Sequence, residues 1–274
     1  MTGELAPAPG LELVAEIESH SVRAWPATVV ETTPDGWVFR ATPGLNGRGR
    51  SNHALAPARP LEGREYDDAI ARAAAFATAN GIVCGIQVSP LEVHIPFLDE
   101  LAARGWDIQQ SVVVMTGQTQ LVAAGADPDF ELSVSDHAGT DWLEAWAHCD
   151  GRADVEDHVQ TVFRRMAGAA RFVHAGMLAA GISVELDGIV GLFCIAVSPD
   201  HRRQGLGKKL VQGLLAQHEA PLTYLQVFSE NAGGLALYNS LGFREQYSYC
   251  HCVLPGSDPH AATGGAAAAS GGGC

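Results

Sequence analysis

The sequence has few positive charges, and only two of them are lysines. Its 274 residues carry 17 Lys plus Arg against 31 Asp plus Glu, which gives a formal net charge of −14 at pH 7. A surface this acidic repels the phosphates of nucleic acids and of anionic lipids. The charge balance therefore excludes a general nucleic-acid binder.

Long apolar runs are also missing. No stretch approaches the roughly 18 residues of a membrane helix, and the opening MTGELAPAPG is acidic where a secretion signal is basic. We therefore expect a cytoplasmic protein. With 47% hydrophobic and 18% charged residues, the chain has enough apolar side chains to form a core, and its length allows one large domain or two smaller ones.

Paired cysteine motifs are missing as well, because the six cysteines are scattered and contain no C-x-x-C. We expect reduced thiols in a chain without an export signal. The segment Cys250-His251-Cys252 has metal-ligand residue types. However, successive strand residues point to opposite faces, so His251 would point away from the two thiols. We predict no metal site.

The main concentration of positive charge lies between residues 201 and 209, in the sequence HRRQGLGKK. The apolar run 189–197 before it is typical of a strand buried on both faces. Leu206, Leu210 and Leu214 after it predict a helix with one apolar face. Because the first N–H groups of a helix lack internal partners and carry the positive end of its dipole, this order predicts an anion-binding loop.

Two nucleotide-binding motifs share this plan but do not fit. The phosphate loop of nucleotide hydrolases needs a glycine where Arg202 stands and a serine or threonine where Lys209 stands. The dinucleotide fingerprint needs a glycine at Leu210 and an acid near Val227. The loop therefore requires another explanation.

The order R-x-x-G-x-G does fit, with Arg202, Gly205 and Gly207 at the defining positions. It resembles the acetyl-CoA pyrophosphate loop of the GCN5-related N-acetyltransferases, the GNAT family. A second element of that family, N-x(6)-Y-x-x-x-G-F, is matched between Asn231 and Phe243. Both motifs stand in the family's order and spacing, so the chain is identified as a member of the family.

The resemblance implies an α+β fold with a mixed, mostly antiparallel sheet flanked by helices, and acetyl-CoA as co-substrate without a metal. Tyr238 corresponds to the family's tyrosine that faces the cofactor sulfur, and is the expected general acid for the departing thiolate. An Ile195 N–H would polarise the thioester carbonyl. The expected cofactor-binding residues are Phe193, Ile195, Ala196, Val197, Arg202, Arg203, Gln204, Gly205, Leu206, Gly207, Lys208 and Asn231.

The general base is left open by the sequence. Some family members carry a glutamate on the cofactor strand at the position of Gly191. The remaining candidates are Glu185, Asp187 and His174 on the preceding strands, or a water chain to bulk solvent. Charged groups on strands are usually solvated, so none of the three side chains is preferred.

The first half of the chain repeats part of the second. The first half contains a predicted strand, a helix, a Gly-aromatic pair and a second strand that ends at residue 115. The same order of elements is found between residues 222 and 253. The repeat has Leu101 where Tyr238 stands and lacks the R-x-x-G-x-G loop. An unrelated α+β domain is the alternative. The predicted units are a degenerate GNAT-like domain at 1–125, a catalytic GNAT domain at 131–255 and a flexible Ala/Gly tail at 256–274.

Looser features of the first half resemble the N-terminal half of two-part acetyltransferases of high-GC bacteria. They are Trp25-Pro26, Asp35-Gly36-Trp37 and the segment 48–52. Asp35-Gly36 predicts a hairpin turn. Arg48, Arg50 and Asn52 would either close over an acceptor or lie in a solvated loop.

The predicted function is transfer of an acetyl group from acetyl-CoA to a primary amine. A non-catalytic CoA-binding or sensing module is one alternative, and an acyltransferase for a longer acyl-CoA is another. The expected partner is a small-molecule or peptide amine, with no nucleic acid and no membrane, and a homodimer is left open. An acidic surface favours a cationic acceptor through electrostatic steering.

Overall fold

The computed structural model describes residues 10–45, 48–151, 157–166 and 168–257. The predicted tail lies outside the described residues from position 258 onward. Within the described ranges, no helix is both long enough and apolar enough to cross a membrane.

The chain alternates short strands with helices. The elements of the first half are α1 (Leu11–Ala24), β1 (Val29–Thr32), β2 (Val38–Ala41), α2 (Gly49–Asn52), β3 (Ala54–Leu55), α3 (Gly63–Asn80), β4 (Gly85–Val88), α4 (Ile95–Ala103), β5 (Asp107–Ile108), β6 (Val112–Gln118) and α5 (Thr119–Ala123). Those of the second half are β7 (Ser133–Ser135), α6 (Thr140–Asp150), α7 (Asp157–Met166), β8 (Ala170–Ala175), β9 (Ala179–Leu186), β10 (Ile189–Val197), α8 (Leu206–Leu215), β11 (Leu222–Phe228), α9 (Ala232–Ser240) and β12 (Arg244–Val253).

The strands form one mixed sheet. Their order is β1-β2-β3-β4-β12-β6-β11-β10-β9-β8-β7, and β5 also pairs with β12. Among the described strands, β10 with β11 and β3 with β4 are the parallel pairs. The sheet is therefore mixed and mostly antiparallel, as the resemblance to the GNAT family implies.

Each half of the chain contributes a strand to the other half's part of the sheet. From the first half, β6 pairs with β11 along its whole length and also with β12. The end of β12 pairs in return with β4, from Cys250↔Val88 to Val253↔Gly85. The division of the sequence near residues 125–131 stays a prediction, and the strands on its two sides are hydrogen-bonded to each other.

The predicted hairpin at Asp35-Gly36 is present. The antiparallel strands β1 and β2 flank it, and Gly36 has φ +93°, a left-handed conformation that favours glycine. The Arg72 guanidinium donates to both carboxylate oxygens of Asp35, at 2.8 and 3.3 Å. This contact lowers the pKa of Asp35 to about 2.

Aromatic side chains from both halves form a common core on one face of the sheet. The Phe163 ring of α7 meets four rings edge-to-face, at centroid distances of 5.3 to 6.0 Å. Three of them, Trp142, Trp146 and Phe172, belong to the second half, and Trp25 follows α1 in the first. All five residues are buried, so apolar packing joins the two halves here.

Replacing Phe163 by alanine tests how much this aromatic cluster stabilises the protein. The deletion leaves a cavity against four rings, so we expect the free energy of unfolding to fall by about 3 to 5 kcal/mol, measured by urea denaturation with tryptophan fluorescence. Leu121→Ala is the control, because that side chain is 71% exposed and its truncation should change the stability by less than about 0.5 kcal/mol. Equal urea midpoints for the two variants would contradict the role of the cluster.

Candidate functional site

The parallel strands β10 and β11 part halfway along their length. Among the described residues, their pairing ends at Leu192↔Leu225. Just beyond, a register shift between Phe193 and Ala196 interrupts the pairing of β10 with β9, and Cys194 in this bulge has φ +53°. Backbone groups released by the parting are available to a ligand, since buried peptide groups require partners. We call the opening between the two strands beyond this point the slot.

Side-chain exposure rises along the slot. Ile195 and Val197 on β10 are half-buried, as are Gln226 and Phe228 on β11, whereas the residues at the last parallel pair are buried. Solvent therefore reaches the space between the strands. The bulge also separates the two faces of β10: Phe193 and Ala196 pack with the aromatic core, and the two half-buried aliphatic residues pack towards α8.

The predicted anion-binding loop stands at the open end of the slot. Gly205 caps the N-terminus of α8 in a left-handed conformation, with φ +83°, and Arg203 before it has φ +65°. The Nε of Arg202 donates to the carbonyl of Val197 at 3.2 Å. The loop is thereby attached to the end of β10, and the first N–H groups of α8 face out from it without a side-chain cap.

The charged side chains of the loop divide into two groups. Arg202, Arg203 and Lys208 are exposed, so an anion at the start of α8 can meet them. Lys209 instead forms a 2.9 Å ion pair with Asp127. The loop residues Gln204 and Leu206 are exposed and half-buried, respectively.

Gly207 has a packing role that the motif alone does not reveal. A Cβ at this position would lie 3.0 Å from Leu237 Cδ2 and 3.6 Å from Val197 Cγ2. The missing side chain therefore allows α8 to approach both α9 and the end of β10.

The second motif positions α9 beside the slot. Asn231 caps this helix, with its Oδ1 accepting from the Gly234 N–H at 2.9 Å. Tyr238 is 9% exposed and belongs to a core cluster that includes Leu192 of β10 and Val227 of β11. Tyr238 therefore lies on the α8/α9 side of the two slot strands.

The sequence-predicted base candidates are held elsewhere. Glu185 lies opposite Val190 at the closed end of β10, and its carboxylate is 2.9 Å from His218 Nδ1. Asp187 lies in the turn before β10 and forms an ion pair with Arg23. His174 on β8 is separated from β10 by β9. None of the three candidates stands at the slot.

The structure also accounts for the glycine at position 191. A Cβ on Gly191 would lie 2.7 Å from the Phe193 ring and 2.9 Å from the Tyr224 hydroxyl. These two aromatic side chains occupy the space that a glutamate at this position needs. A proton acceptor must therefore come from another element.

Sequence reasoning missed a group of polar residues on the opposite side of the slot from α8 and α9. We call Glu18, Ser21, Gln226, Tyr247 and Tyr249 the seam cluster. Gln226 Nε2 donates to Ser21 Oγ at 3.3 Å, and the Tyr249 hydroxyl donates to Gln226 Oε1 at 3.0 Å. The Tyr247 hydroxyl donates to Glu18 Oε1 at 3.1 Å. The cluster joins α1 of the first half to β11 and β12 of the second.

The sequence contains one trace of this cluster. Val14, Ile17, Glu18 and Ser21 occupy one face of α1 at helical spacing, and all four are buried. An acid within an otherwise apolar helical stripe indicates a buried carboxylate. Its partners lie more than 60 residues away in the chain, as Ser89 Oγ and Gln87 Nε2 do at 2.6 and 3.1 Å, so they could not be named from the sequence.

Helix α1 is attached to both slot strands through a neutral histidine. His20 Nδ1 is 3.0 Å from the Tyr224 hydroxyl of β11, and His20 Nε2 is 3.0 Å from the Ile189 carbonyl of β10. Burial lowers the pKa of His20 to about 4. The imidazole therefore stays uncharged at neutral pH and serves as a hydrogen-bonding link.

The residues of segment 48–52 in the first half have two different roles. Arg50 lies with its Cζ 5.5 Å from the ring centroid of Phe193 and 5.7 Å from that of Trp25. Asn52 is buried and accepts the Thr42 N–H at 2.7 Å. The structure thus brings Arg50 to the slot, whereas Asn52 holds the segment that follows β2. Arg48 is half-buried.

The Cys250-His251-Cys252 segment follows the predicted strand alternation. The two sulfur atoms are 3.8 Å apart in the core, and His251 Nδ1 lies 3.1 Å from His53 Nδ1. Within the described residues, the cysteines are free thiols.

Comparison with known proteins gives matches that span both halves of the chain. A family model described as "Probable histone acetyltransferase Rv0428c C-terminal" matches residues 14–252. The ribosomal protein bS18-alanine N-acetyltransferase of Escherichia coli (strain K12) is 47% identical over 57 residues, which are 20% of this chain and 38% of that protein. The chain therefore matches less than half the length of this curated relative.

Solved structures show the same fold. A GCN5-related N-acetyltransferase from Kribbella flavida superposes with a TM-score of 0.65 at 17% identity, over 92% of this chain and 98% of the other. A tandem GNAT protein from the clavulanic acid biosynthesis pathway gives a TM-score of 0.56 at 12% identity, over 89% and 93%. The predicted GNAT fold and its two-part form are confirmed.

Replacing Asn231 by alanine tests the cap that positions α9. Loss of the side-chain acceptor should lower the free energy of unfolding by about 1 kcal/mol, measured by urea denaturation, and speed hydrogen exchange at the start of α9. Asn239→Ala is the matched control, because Asn239 is exposed on the same helix and alanine is the better helix former. A similar loss of stability in both variants would show that the cap is not responsible.

Proposed function

Because the chain belongs to the family described as "Probable histone acetyltransferase Rv0428c C-terminal" and is a GNAT N-acetyltransferase, we propose that it transfers an acetyl group from acetyl-CoA to a primary amine. The observation that carries this proposal is the slot between β10 and β11 with the cationic start of α8 at its open end. Acetyl-CoA supplies a thioester that an amine can attack, and its pyrophosphate suits the loop.

The loop residues would hold the polyanionic end of the substrate. The unpaired N–H groups at the start of α8 point towards an anion, and the exposed Arg202, Arg203 and Lys208 add charge-assisted hydrogen bonds. In a chain with a net charge of −14, this local excess of positive charge favours the binding of a polyanion at the start of α8.

The slot would hold the extended arm of the substrate. Backbone groups of Phe193, Ile195, Ala196 and Val197 stand beyond the last parallel pair, where an extended ligand can form strand-like hydrogen bonds. The Ile195 N–H lies within the bulge between Phe193 and Ala196. A fixed backbone donor there would stabilise the negative charge that develops on the carbonyl oxygen.

Tyr238 would protonate the departing thiolate. It lies on the same side of the slot strands as α8, in a mostly apolar cluster. A phenol of pKa about 10 can supply a proton to a thiolate of pKa about 8.5 when the site holds the two groups together. Asn231 would act indirectly, because it caps the helix that carries this tyrosine.

The acceptor is a primary amine, and protein amines are the first class to test. The similar proteins described above are named for the alanine of ribosomal protein bS18 and for histones. A panel should contain peptides with an N-terminal alanine, lysine-rich peptides and polyamines. Thiol release from acetyl-CoA and mass spectrometry of the acceptor would identify the product.

Replacing Tyr238 by phenylalanine tests the general acid. We expect kcat to fall by about 10²- to 10⁴-fold, because the thiolate then leaves without a positioned proton donor. The dissociation constant for CoA, measured by calorimetry, should stay within about twofold, since the ring is retained. Tyr66→Phe is the control at a tyrosine on α3, away from the slot. Unchanged turnover in Tyr238→Phe would remove this residue as the acid.

Replacing Gly205 by valine tests the loop. A β-branched residue is strongly disfavoured at φ +83°, so the start of α8 should change shape, and the affinity for CoA should fall at least about tenfold, as each lost 1.4 kcal/mol gives that factor. Gly188→Val is the matched control, because Gly188 has φ +79° and, like Gly205, no atom within 4 Å of an added Cβ. Calorimetry that shows equal CoA affinities for the two variants would contradict the loop assignment.

A further inference from the structure

Glu18 is an unusual residue among the acids of this chain. It is 4% exposed, and of the Asp and Glu residues in the described part of the chain it alone is buried. A buried carboxylate is costly unless neighbouring groups stabilise it. Ser89, Gln87 and Tyr247 donate hydrogen bonds to it at 2.6, 3.1 and 3.1 Å.

The position of Glu18 relative to the slot follows from α1. Ser21 stands three residues later on the same helical face, so the Cβ atoms of the two residues are about 5 to 6 Å apart. Ser21 Oγ accepts from Gln226 Nε2 at 3.3 Å. Gln226 is the first residue of β11 beyond the pair Leu192↔Leu225. Glu18 is therefore linked to the point where the strands part through Ser21 and Gln226, while its carboxylate contacts residues of β12 and of the end of β4.

The residues of β11 also show which face of the sheet Glu18 lies on. Leu225 and Val227 pack on the side of α8 and α9, with Tyr238. Gln226 alternates with them, so it points to the side on which α1 lies. With the loop and the proposed acid on one face, the face with Glu18 is the one left for an attacking amine.

Glu18 has room for one further hydrogen bond. An ionised carboxylate offers about four acceptor positions, and three donors from described residues contact it. Gln226 nearby is half-buried, so solvent reaches the neighbouring part of the seam cluster. An ammonium or amine N–H is the donor that a carboxylate binds most strongly in such a setting.

The surroundings keep Glu18 suited to accepting a proton. Burial raises its pKa, while hydrogen bonds from Ser89 and Tyr247 and the charges of Arg40 and Arg50 lower it. Burial also raises the pKa of the three phenols near it, so they stay neutral. The titratable or charged groups facing it are Arg40 of β2, Arg50 of α2, Tyr224 of β11, and Tyr247 and Tyr249 of β12.

We propose that Glu18 binds the acceptor amine on the α1 face of the slot and accepts the proton that the amine releases as it attacks. The proposal rests on the acetyl transfer proposed above. The nitrogen–carbon bond forms and the carbon–sulfur bond breaks; one proton passes from nitrogen to Glu18, and one passes from Tyr238 to sulfur. Exchange with solvent then restores both side chains. The first half of the chain thereby completes the active site of the second.

The test compares Glu18→Gln with the wild-type full-length protein across pH, using acetyl-CoA and the peptide with an N-terminal alanine as the first probe and the rest of the amine panel next. In the wild type, kcat/KM should rise with pH through the pKa of Glu18. In the variant, kcat/KM near pH 7 should fall by about 10²- to 10⁴-fold and follow only the ionisation of the amine itself. The affinity for CoA should be unchanged by calorimetry.

Two further variants separate proton transfer from structural support. Glu18→Asp keeps the carboxylate and should retain the shape of the wild-type pH profile at a lower rate. This variant tests the proposal as well if Glu18→Gln does not fold. Ser89→Ala removes a hydrogen bond that lowers the pKa of Glu18, so the rising part of its profile should move to higher pH.

The outcomes distinguish the two proposals. A wild-type protein that releases no thiol from acetyl-CoA with any amine of the panel would overturn the proposed function and this inference together. Turnover in the wild type with an unchanged pH profile in Glu18→Gln would overturn the role of Glu18 alone. A loss of stability in Glu18→Gln without a change in profile would show that Glu18 only supports the fold.

Discussion

The pairing of β6 with β11 is the interaction on which the site depends. It runs through consecutive residues from Leu222↔Gln118 to Phe228↔Val112, so β11 is held along its whole length on that side. On its other side, the pairing of β11 with β10 ends after Leu192, and β10 continues to pair with β9 across a bulge. A strand with one side fully paired can lose part of its pairing on the other without collapsing, and the slot is open for this reason.

The same sheet separates two groups of side chains with different chemistry. The cationic loop and Tyr238 belong to elements on one face of the sheet, whereas the seam cluster and α1 lie on the other. The exposed Arg202, Arg203 and Lys208 make the first of these faces the one suited to an anion. In the proposed function, the sheet would separate the polyanion from the amine everywhere except at the slot, where the strands have parted.

The predictable part of the site is the part built from neighbours in sequence. Arg202, Gly205 and Gly207 follow one strand and begin one helix, so their roles can be inferred from spacing and from the chemistry of helix N-termini. Tyr238 lies in α9 and Asn231 caps it, and their expected roles come from the resemblance to the GNAT family. The expected fold comes from the same resemblance, because both motifs are short enough to be recognised in the sequence.

The features of the site that the sequence does not predict depend on contacts between residues distant in the chain. Glu18 meets Ser89 and Tyr247 only because β4 and β12 are neighbours in the sheet. Glycine at position 191 is explained by the ring of Phe193 and by the hydroxyl of Tyr224, which lies 33 residues away on β11. The base candidates chosen from sequence were close in sequence to β10, but strand direction places Glu185 at its closed end.

The shared sheet gives the first half a role that its own sequence does not suggest. At the position aligned with Tyr238 it has Leu101, which is fully buried and cannot donate a proton. What the first half supplies instead is β6, which holds β11, and α1, whose His20 contacts β10 and β11 and whose Glu18 contacts β12. Losing β6 would remove the neighbour that pairs with β11 along its whole length, so the first half is a structural part of the sheet that forms the slot.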